Sequence, residues 1–402
     1  MTRLIEILIS FAIVAALMLL VGLVLPSSRH LSESVETNRK MTIVFDTINS
    51  FQRFEDWNPL VLRDPKAVLE RSGPVSGVGA KLGFTSKEDQ VGDGSFEIVE
   101  SVPGKKVRIA IDNERQGHDK FTQFTLKPTG RGAVKRNIEI TQTYDVKYGW
   151  NLIGRYAGLY VSRHVGDDMK LGLARLGGML ATVPNVDYAV AGSTMRGMAT
   201  VERPAEDLLV VKAGSIERNN EKIKTSMKSN IEWIKRTMAA NDLVAAGPVR
   251  IITTELGREN YTFDVAMPVR KAGPGEASKK DDADKAKDDV VKADDAADEA
   301  ADVAAEPQVD ALIKVVAASG DEMKIKIPDG APVEYVRTKP GRVAVAYYTG
   351  FMAELDNVRN ALRAWAMTQG DDVTGRPYEI YKNGVDKAFT ADGEYEVYWT
   401  LK

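Results

Sequence analysis

The fold of the first soluble segment is decided by residues 96–127, which read FEIVESVPGKKVRIAIDNERQGHDKFTQFTLK. Runs of strand length alternate here with turns rich in Gly, Pro and Asn, the pattern of an antiparallel meander. The pattern extends on both sides. The predicted strands are Gly79–Ser86, Phe96–Val102, Lys106–Asp112, Lys120–Lys127 and Val134–Tyr144.

Helical segments frame the meander. A strand-like stretch, Ser32–Lys40, and a helix over Met41–Trp57 are predicted before it, and a long helix from Trp150 to about Leu180 after it. Both helices have apolar residues at helical spacing. These are Val44, Phe45, Ile48, Phe51 and Phe54 in the first, and Tyr156, Tyr160, Leu173, Leu176 and Leu180 in the second.

Short motifs in this segment resemble the SRPBCC superfamily, also called START-like or polyketide cyclase/dehydrase-like. They are FEDWNP (54–59), DP (64–65), SGP (72–74), GVGA (77–80), VGDG (91–94), VESVP (99–103) and GRYxGL (154–159). The resemblance implies a helix-grip fold, in which a curved sheet wraps the last helix around a cavity. Members that resemble this segment bind or transform hydrophobic small molecules, lipids or polyketides, so the resemblance alone gives no reaction.

Two side chains of this segment are candidates for the cavity. Trp57 is predicted either to close its mouth as a packed aromatic or to hold a ligand. His164, on the long helix, is either an acid or base that lines the cavity or a surface residue beside Asp167 and Asp168. His118 is expected in an exposed turn.

An uncharged apolar run, Ile7–Leu25, precedes both soluble segments. As a helix, its nineteen residues rise about 28 Å, close to the hydrocarbon thickness of a bilayer. A cleavable signal peptide and a buried core helix are the alternatives. The run lacks an Ala-x-Ala cleavage pattern and has no amphipathic stripe, which favours an uncleaved single-pass anchor. The tail before it is very short, which favours a body outside the cytoplasm, in the periplasm if the anchor lies in an inner membrane.

The composition limits the partners and the kinds of chemistry that are expected of the chain. The 402-residue chain has a formal net charge of −3, which gives no sign of nucleic acid as a partner. It contains no cysteine and three scattered histidines, so thiolate chemistry is excluded and a histidine-rich metal site is not expected. We expect no cofactor.

A tract of Asp, Ala, Lys and Glu at 271–308 is predicted to be a disordered linker or transient helix. It lacks the spacing of a calcium-binding loop.

The second soluble segment contains two similar stretches. Leu208–Gly214, a helix, Gly247–Ile252 and Tyr261–Val269 correspond to Val343–Gly350, a helix, Gly375–Tyr381 and Tyr395–Leu401. Each half is predicted to fold as strand, helix, strand, strand. Two halves side by side form one sheet, with both helices on one face and a groove on the other.

The last strand of each half contains a carboxylate at the equivalent position. Strand residues alternate between the two faces, so Asp264 points away from Val265, and Glu396 points away from Val397. Glu396 shares its face with Tyr398. Both carboxylates are either ligand groups in the groove or ordinary exposed strand residues. A carboxylate beside tyrosine rings suits a cation by charge and by cation–π attraction.

The second segment also resembles the GyrI-like domain, the effector-binding domain of AraC-type proteins. The matching stretches are YYTG (347–350), GRPYEIY (375–381) and YEVY (395–398). That family binds amphipathic, often cationic compounds in a groove with an acidic residue and aromatic rings. The resemblance implies a ligand site at Glu396, Tyr398, Tyr347, Tyr348 and Tyr378. Thr400 departs from the family pattern, as does the charged insert, and no helix-turn-helix segment precedes the domain.

The chain is therefore predicted to be an α+β protein in four parts. These are an anchor (1–30), a START-like domain (31–183), a connector (184–204) and a GyrI-like domain (205–402) with the insert at 271–308. The leading functional hypothesis is a membrane-anchored binding protein for hydrophobic or cationic amphipathic small molecules, with the bilayer contacted by residues 7–25. The alternatives are a cyclase-type or hydrolase-type enzyme and a structural envelope protein. No catalytic motif was recognised.

Overall fold

A computed structural model describes residues 2–88, 91–130, 137–189, 195–273 and 312–402. The chain divides into two compact units. The first is Met1–Asp187 with Met367–Gly370, and the second is Tyr188–Ala366 with Asp371–Lys402. Most of the insert predicted at 271–308 lies outside the described residues, and its predicted disorder stays a prediction.

The first unit contains one seven-stranded antiparallel sheet and six helices. The strands are β1 (Ser28–Thr37), β2 (Val68–Ser72), β3 (Lys81–Thr85), β4 (Gly94–Val102), β5 (Lys106–Asn113), β6 (His118–Thr129) and β7 (Asn137–Lys147). The helices are α1 (Thr2–Val24), α2 (Met41–Ile48), α3 (Phe54–Trp57), α4 (Leu60–Arg63), α5 (Leu152–Ala157) and α6 (Val161–Thr182). The strand order is β1-β7-β6-β5-β4-β3-β2, so β1 pairs with β7 at one edge of the sheet and β2 forms the other edge.

The long helix α6 packs along this sheet through Leu173, Leu176 and Leu180, as the apolar spacing predicted. A cavity lies between the sheet and α6. This is the arrangement expected of a helix grip.

Three local predictions are corrected. The helix expected over Met41–Trp57 is two short helices, α2 and α3, because Ser50 between them leaves the helix to form a β-bridge with Ser76. The long helix is broken between α5 and α6, and Tyr160 in the break is exposed instead of buried. The strand expected over Ser32–Lys40 is β1, Ser28–Thr37, because its pairing with β7 starts at Ser28.

Glycines position α5 before that break. A Cβ at Gly154 would lie 2.9 Å from the Tyr148 ring, and one at Gly158 would lie 2.8 Å from it. Real Cβ atoms do not approach other heavy atoms so closely, so both positions need glycine. The buried ring of Tyr148 therefore packs directly on the backbone of this short helix.

The described residues of the second unit form one nine-stranded antiparallel sheet and two long helices. The strands are β8 (Met195–Arg203), β9 (Asp207–Glu217), β10 (Leu243–Ala245), β11 (Arg250–Leu256), β12 (Asn260–Lys271), β13 (Val333–Arg337), β14 (Gly341–Thr349), β15 (Val373–Tyr381) and β16 (Glu394–Leu401). The helices are α7 (Asn220–Ala240) and α8 (Leu355–Thr368), with 3-10 turns at Met352–Glu354 and Lys387–Phe389. The strand order is β13-β9-β12-β11-β15-β16-β14-β8, and β10 pairs with β12.

Strand β9 is followed by α7, the short β10, β11 and β12, whereas β14 is followed by α8, β15 and β16, and β11 pairs with β15. Ile223 of α7 and Arg359 of α8 line one small pocket together with Tyr261 of β12, so both helices lie on the same face of the sheet. Part of the connector expected at 184–204 is strand β8, which pairs with β14 at the edge of this sheet.

The opposite face of the second sheet carries two apolar clusters. One contains Leu208, Val210 and Ala266, and the other Val343, Val345, Ile380 and Tyr398. Leu312 and Ile313, which follow the insert in sequence, pack against the second cluster. The groove predicted on this face is therefore covered here by the chain itself.

Candidate functional site

A cavity of about 150 Å³ lies inside the first unit. Aromatic rings form much of its wall. Trp57 packs edge-on against Phe124 with ring centroids 5.8 Å apart, and Phe96 contacts both Phe54 and Phe84 at 5.1 and 5.3 Å. Such pairs prefer fixed relative orientations, which keeps the wall in a defined shape.

Polar side chains interrupt this wall on β6 and β7. Gln142 Nε2 donates a hydrogen bond to Thr122 Oγ1 at 3.0 Å, and Thr122 Oγ1 donates to the Thr143 carbonyl at 3.0 Å. Tyr144 lies two residues beyond Gln142 and also lines the cavity. Burial raises the pKa of Tyr144 to about 12. Its hydroxyl therefore stays protonated at neutral pH and can donate a hydrogen bond.

Two buried polar atoms on cavity-lining residues lack a partner within the described parts of the chain. They are Trp57 Nε1, which can only donate, and Gln142 Oε1, which can only accept. A buried polar atom without a hydrogen bond costs about 1–3 kcal/mol.

Charged residues also line the cavity. Arg63 Nη2 and Asp168 Oδ1 form a half-buried ion pair at 2.6 Å, and both residues line the cavity. Asn113, the last residue of β5, and Arg115, in the loop between β5 and β6, line it as well. Lys120 Nζ holds this loop through Asn113, at 3.0 Å from the carbonyl and 2.7 Å from Oδ1, and burial lowers the pKa of this lysine.

Sequence reasoning selected Trp57 for this cavity but missed Gln142. The signal was present. Ile138, Ile140 and Gln142 fall on one face of β7, and the two isoleucines are buried. An amide in line with core residues marks a polar group that faces the interior. The two histidines weighed at the sequence level are exposed, His164 on α6 and His118 at the start of β6.

In the second unit, strand alternation correctly placed Glu396 and Tyr398 on the face away from the helices. Tyr398 donates its hydroxyl to Glu396 Oε2 at 2.7 Å, and its ring stacks on Tyr378 at 5.0 Å. Tyr347 lies opposite Glu396 on β14. Burial, with the Glu396 charge as the second cause, raises the pKa of Tyr347 to about 12.

Two predicted members of that site lie elsewhere. Tyr348 points to the other face of β14, where it stacks with Tyr395 at 5.7 Å and donates to the Phe351 carbonyl at 3.3 Å. Asp264 lies on β12, three strands from β16, which at about 4.8 Å per strand is roughly 14 Å. It forms its own ion pair with Arg376 at 2.8 Å. Asp264 and Glu396 therefore do not share one site.

Glu396 is fully buried, and the chain supplies its partners. Besides the Tyr398 hydroxyl, its carboxylate accepts the Ile313 backbone N–H at 3.1 Å and lies 3.4 Å from Lys382 Nζ. Lys382 Nζ also lies 5.3 Å from the centroid of the Tyr347 ring. A cation of the chain itself therefore occupies the position predicted for a ligand cation.

We call residues 312–326 the strap, because backbone contacts fasten them along this unit. The Ala318 N–H donates to the Ala205 carbonyl at 2.7 Å, and Lys326 exchanges two hydrogen bonds with the side chain of Asn241. Under the strap, the guanidinium of Arg203 lies 4.3 Å from the centroid of the Tyr398 ring. Arg250 forms a buried bidentate pair with Glu206 and lies 5.4 Å from the Tyr378 ring.

No group of three or more metal-ligating side chains that could hold an ion occurs among the described residues. Within the described ranges, one helix, with the window Ile7–Val24, is long and apolar enough to cross a membrane, and almost none of its residues is buried.

Comparisons with known proteins found similar solved structures, each over less than half of this chain. No protein-family model and no curated protein matches the chain. Norcoclaurine synthase from Thalictrum flavum, solved with dopamine and hydroxybenzaldehyde, is 12% identical over 39% of this chain and 87% of its own, with a TM-score of 0.30. A START superfamily protein from Mycobacterium smegmatis is 15% identical over 38% of this chain and 97% of its own, with a TM-score of 0.29. The helix-grip description itself rests on the strand order, α6 and the cavity.

Proposed function

We propose that the chain is a membrane-anchored binding protein for small hydrophobic or amphipathic molecules, and that the cavity of the first unit is its binding site. One observation carries the proposal. An aromatic-walled cavity includes among its lining residues a buried indole N–H and a buried amide oxygen without partners in the described chain. Ligand sites typically combine an apolar wall with a few polar groups of this kind.

The two atoms define the ligand further. It has a compact apolar body, an acceptor that reaches Trp57 Nε1 and a donor that reaches Gln142 Oε1. The protonated Tyr144 hydroxyl offers a second donor to such a ligand. Binding explains these contacts without a reaction, and we therefore favour a binding protein over a cyclase or hydrolase.

Filling the cavity tests this proposal. Ile111 lines it, whereas the neighbouring residue Ala110 points to the other face of β5. With the neutral dye Nile red as the probe, Ile111→Trp should weaken binding by at least about tenfold, or ~1.4 kcal/mol. Ala110→Trp introduces the same ring on the outer face and should leave the affinity unchanged. Equal affinities for the two variants would contradict a site in this cavity.

The anchor of this proposal is the apolar helix α1, with the body outside the cytoplasm. The chain has no cysteine, so a single reactive thiol can be introduced at the exposed Val75. Val75→Cys in intact spheroplasts should react with a membrane-impermeant maleimide. Protection until the membrane is broken would contradict this orientation.

A second candidate activity is cation binding in the second unit, as expected of a GyrI-like groove. The observation that favours it is the position of Lys382, whose ammonium lies beside both Glu396 and the Tyr347 ring. An external cation must therefore displace the Lys382 ammonium, and the strap, whose Ile313 N–H donates to Glu396, must move as well. The groove is therefore closed until the Ile313 N–H leaves Glu396.

A further inference from the structure

The segment that joins β7 to α6 exposes an unusual set of apolar side chains. Trp150 is 83% exposed, Ile153 74%, Tyr160 61% and Leu159 49%. We call residues 149–160, which include α5, the interfacial segment. A cluster of large exposed apolar residues on one short segment marks a surface that another phase or molecule covers.

This segment is held against the end of α1. Arg155, itself buried, donates from Nη1 to the carbonyls of Leu23 at 2.9 Å and Leu25 at 3.2 Å. The last carbonyls of a helix have no partner within the helix and carry partial negative charge, so an arginine there satisfies and stabilises them. Arg155 also donates twice to the Gly149 carbonyl, at 2.9 and 2.7 Å, which fixes it to its own segment.

The contact continues along α1 toward its middle. The Tyr156 hydroxyl donates to the Met18 carbonyl at 2.6 Å, and a Cβ at Gly22 would lie 3.3 Å from the Tyr156 ring. Met18 precedes Leu25 by seven residues, which is about 10 Å along a helix. Part of the interfacial segment therefore lies beside the last turns of the apolar helix and not beyond them.

From these contacts we propose that the interfacial segment lies in the headgroup region of the bilayer, with Trp150, Ile153, Leu159 and Tyr160 in contact with lipid. If α1 spans the membrane to about Leu25, a segment that reaches the level of Met18 is at the lipid boundary. Tryptophan and tyrosine are enriched at that depth because their rings are apolar and their N–H or O–H groups are polar. This proposal rests on the membrane anchor proposed above.

The placement brings the cavity close to the membrane surface. Asn151 Nδ2 of the interfacial segment donates to Gln116 Oε1 at 2.8 Å. Gln116 follows Arg115, which lines the cavity, in the loop between β5 and β6. A hydrophobic ligand that partitions into the bilayer would thus start next to the loop that borders its site.

Site-directed spin labelling tests the proposal on the full chain, because the natural sequence has no cysteine to remove. Three variants, Ile153→Cys, Phe11→Cys and Val75→Cys, are labelled and reconstituted in phosphatidylcholine and phosphatidylglycerol vesicles. Phe11 lies in α1 and reports the anchor. Val75 follows β2, at the sheet edge farthest from β7, and serves as the exposed apolar control. Power saturation with oxygen and with a water-soluble nickel complex gives the depth of each label.

We expect the labels at residues 11 and 153 to be relaxed more by oxygen, and the label at 75 more by nickel. A label at 153 in water while that at 11 lies in lipid would overturn the interfacial proposal, leave the anchor intact and point to a protein partner for this surface. Labels at both positions in water would overturn the anchor as well. A second measurement needs no cysteine. Brominated lipid should quench a tryptophan signal in the native chain that Trp150→Phe lacks.

Discussion

The cavity of the first unit and the covered sheet face of the second both place polar groups among aromatic rings, but they satisfy them differently. In the cavity, Trp57 Nε1 and Gln142 Oε1 have no partner in the described chain. On the covered face, Glu396 receives donors from Tyr398 and Ile313 and lies beside Lys382. Polar groups of the first kind destabilise the free protein and, under the proposed function, are satisfied by a ligand, whereas those of the second kind have partners within the fold.

The largest expected effect comes from breaking the buried pair that flanks the covered face. Glu206→Gln would leave the Arg250 guanidinium buried without a carboxylate, and we expect a loss of about 3–5 kcal/mol. Hydrogen exchange in peptides from β11 and β15 measures it.

Glu334→Gln is the matched control, because Glu334 pairs with Lys212 in an exposed position. No measurable change is expected for it. If both variants exchanged at the native rate, the polar groups of this face would not belong to its fold.

The next effect concerns the strap. Ile313→Pro removes the N–H that Glu396 Oε1 accepts, leaves Lys382 Nζ at 3.4 Å as the remaining partner of that oxygen, and so loosens the strap at this point. We expect this variant to bind tetraphenylphosphonium while the native chain and Ile313→Val do not, since valine keeps the donor. Titration calorimetry measures the affinities.

Glu396→Gln in the Ile313→Pro background then separates charge from packing. The glutamine keeps the size of the side chain but removes the charge, so the cation should lose on the order of 1–3 kcal/mol of binding free energy. Triphenylphosphine oxide, the neutral analogue, should bind equally with and without the charge. Equal losses for both compounds would show that Glu396 is a structural carboxylate only.

The sequence predicted correctly the features that depend on the periodicity of a single strand or helix. Alternation along β16 separated Glu396 from Val397, and helical spacing in α6 identified Leu173, Leu176 and Leu180. Both are consequences of backbone periodicity, which a single element fixes without reference to its neighbours.

The predictions that were wrong concern features that depend on contacts between residues far apart in the sequence. The strap has no periodic pattern, and only the folded sheet shows that Ile313 lies over Glu396. Helical spacing predicts that Tyr160 is buried. The helix breaks at Gly158 because of its contact with Tyr148, a residue outside the helix, and spacing within the helix gives no sign of that contact. Tyr347 and Tyr348 could not be ranked without knowing which of the two faces Glu396 across β14 and β16.

The smallest effect sharpens the comparison most, because it tests a polar group that the fold does not need. Gln142→Met removes the Nε2 bond to Thr122, worth about 0.5–1.5 kcal/mol, and also removes the unpaired Oε1, whose burial costs about 1–3 kcal/mol. The two terms oppose each other, so we expect the first unit to be no less stable than the native one. Gln123→Met is the control, since Gln123 lies on the outer face of β6.

The same variant should lose affinity for a ligand that donates a hydrogen bond. 2-Naphthol, which can donate to Oε1, should bind Gln142→Met more weakly than the native chain, and 2-methoxynaphthalene, which cannot donate, should bind both alike. A clear loss of stability in Gln142→Met, with unchanged 2-naphthol binding, would assign Gln142 to the fold and remove the difference between the two regions.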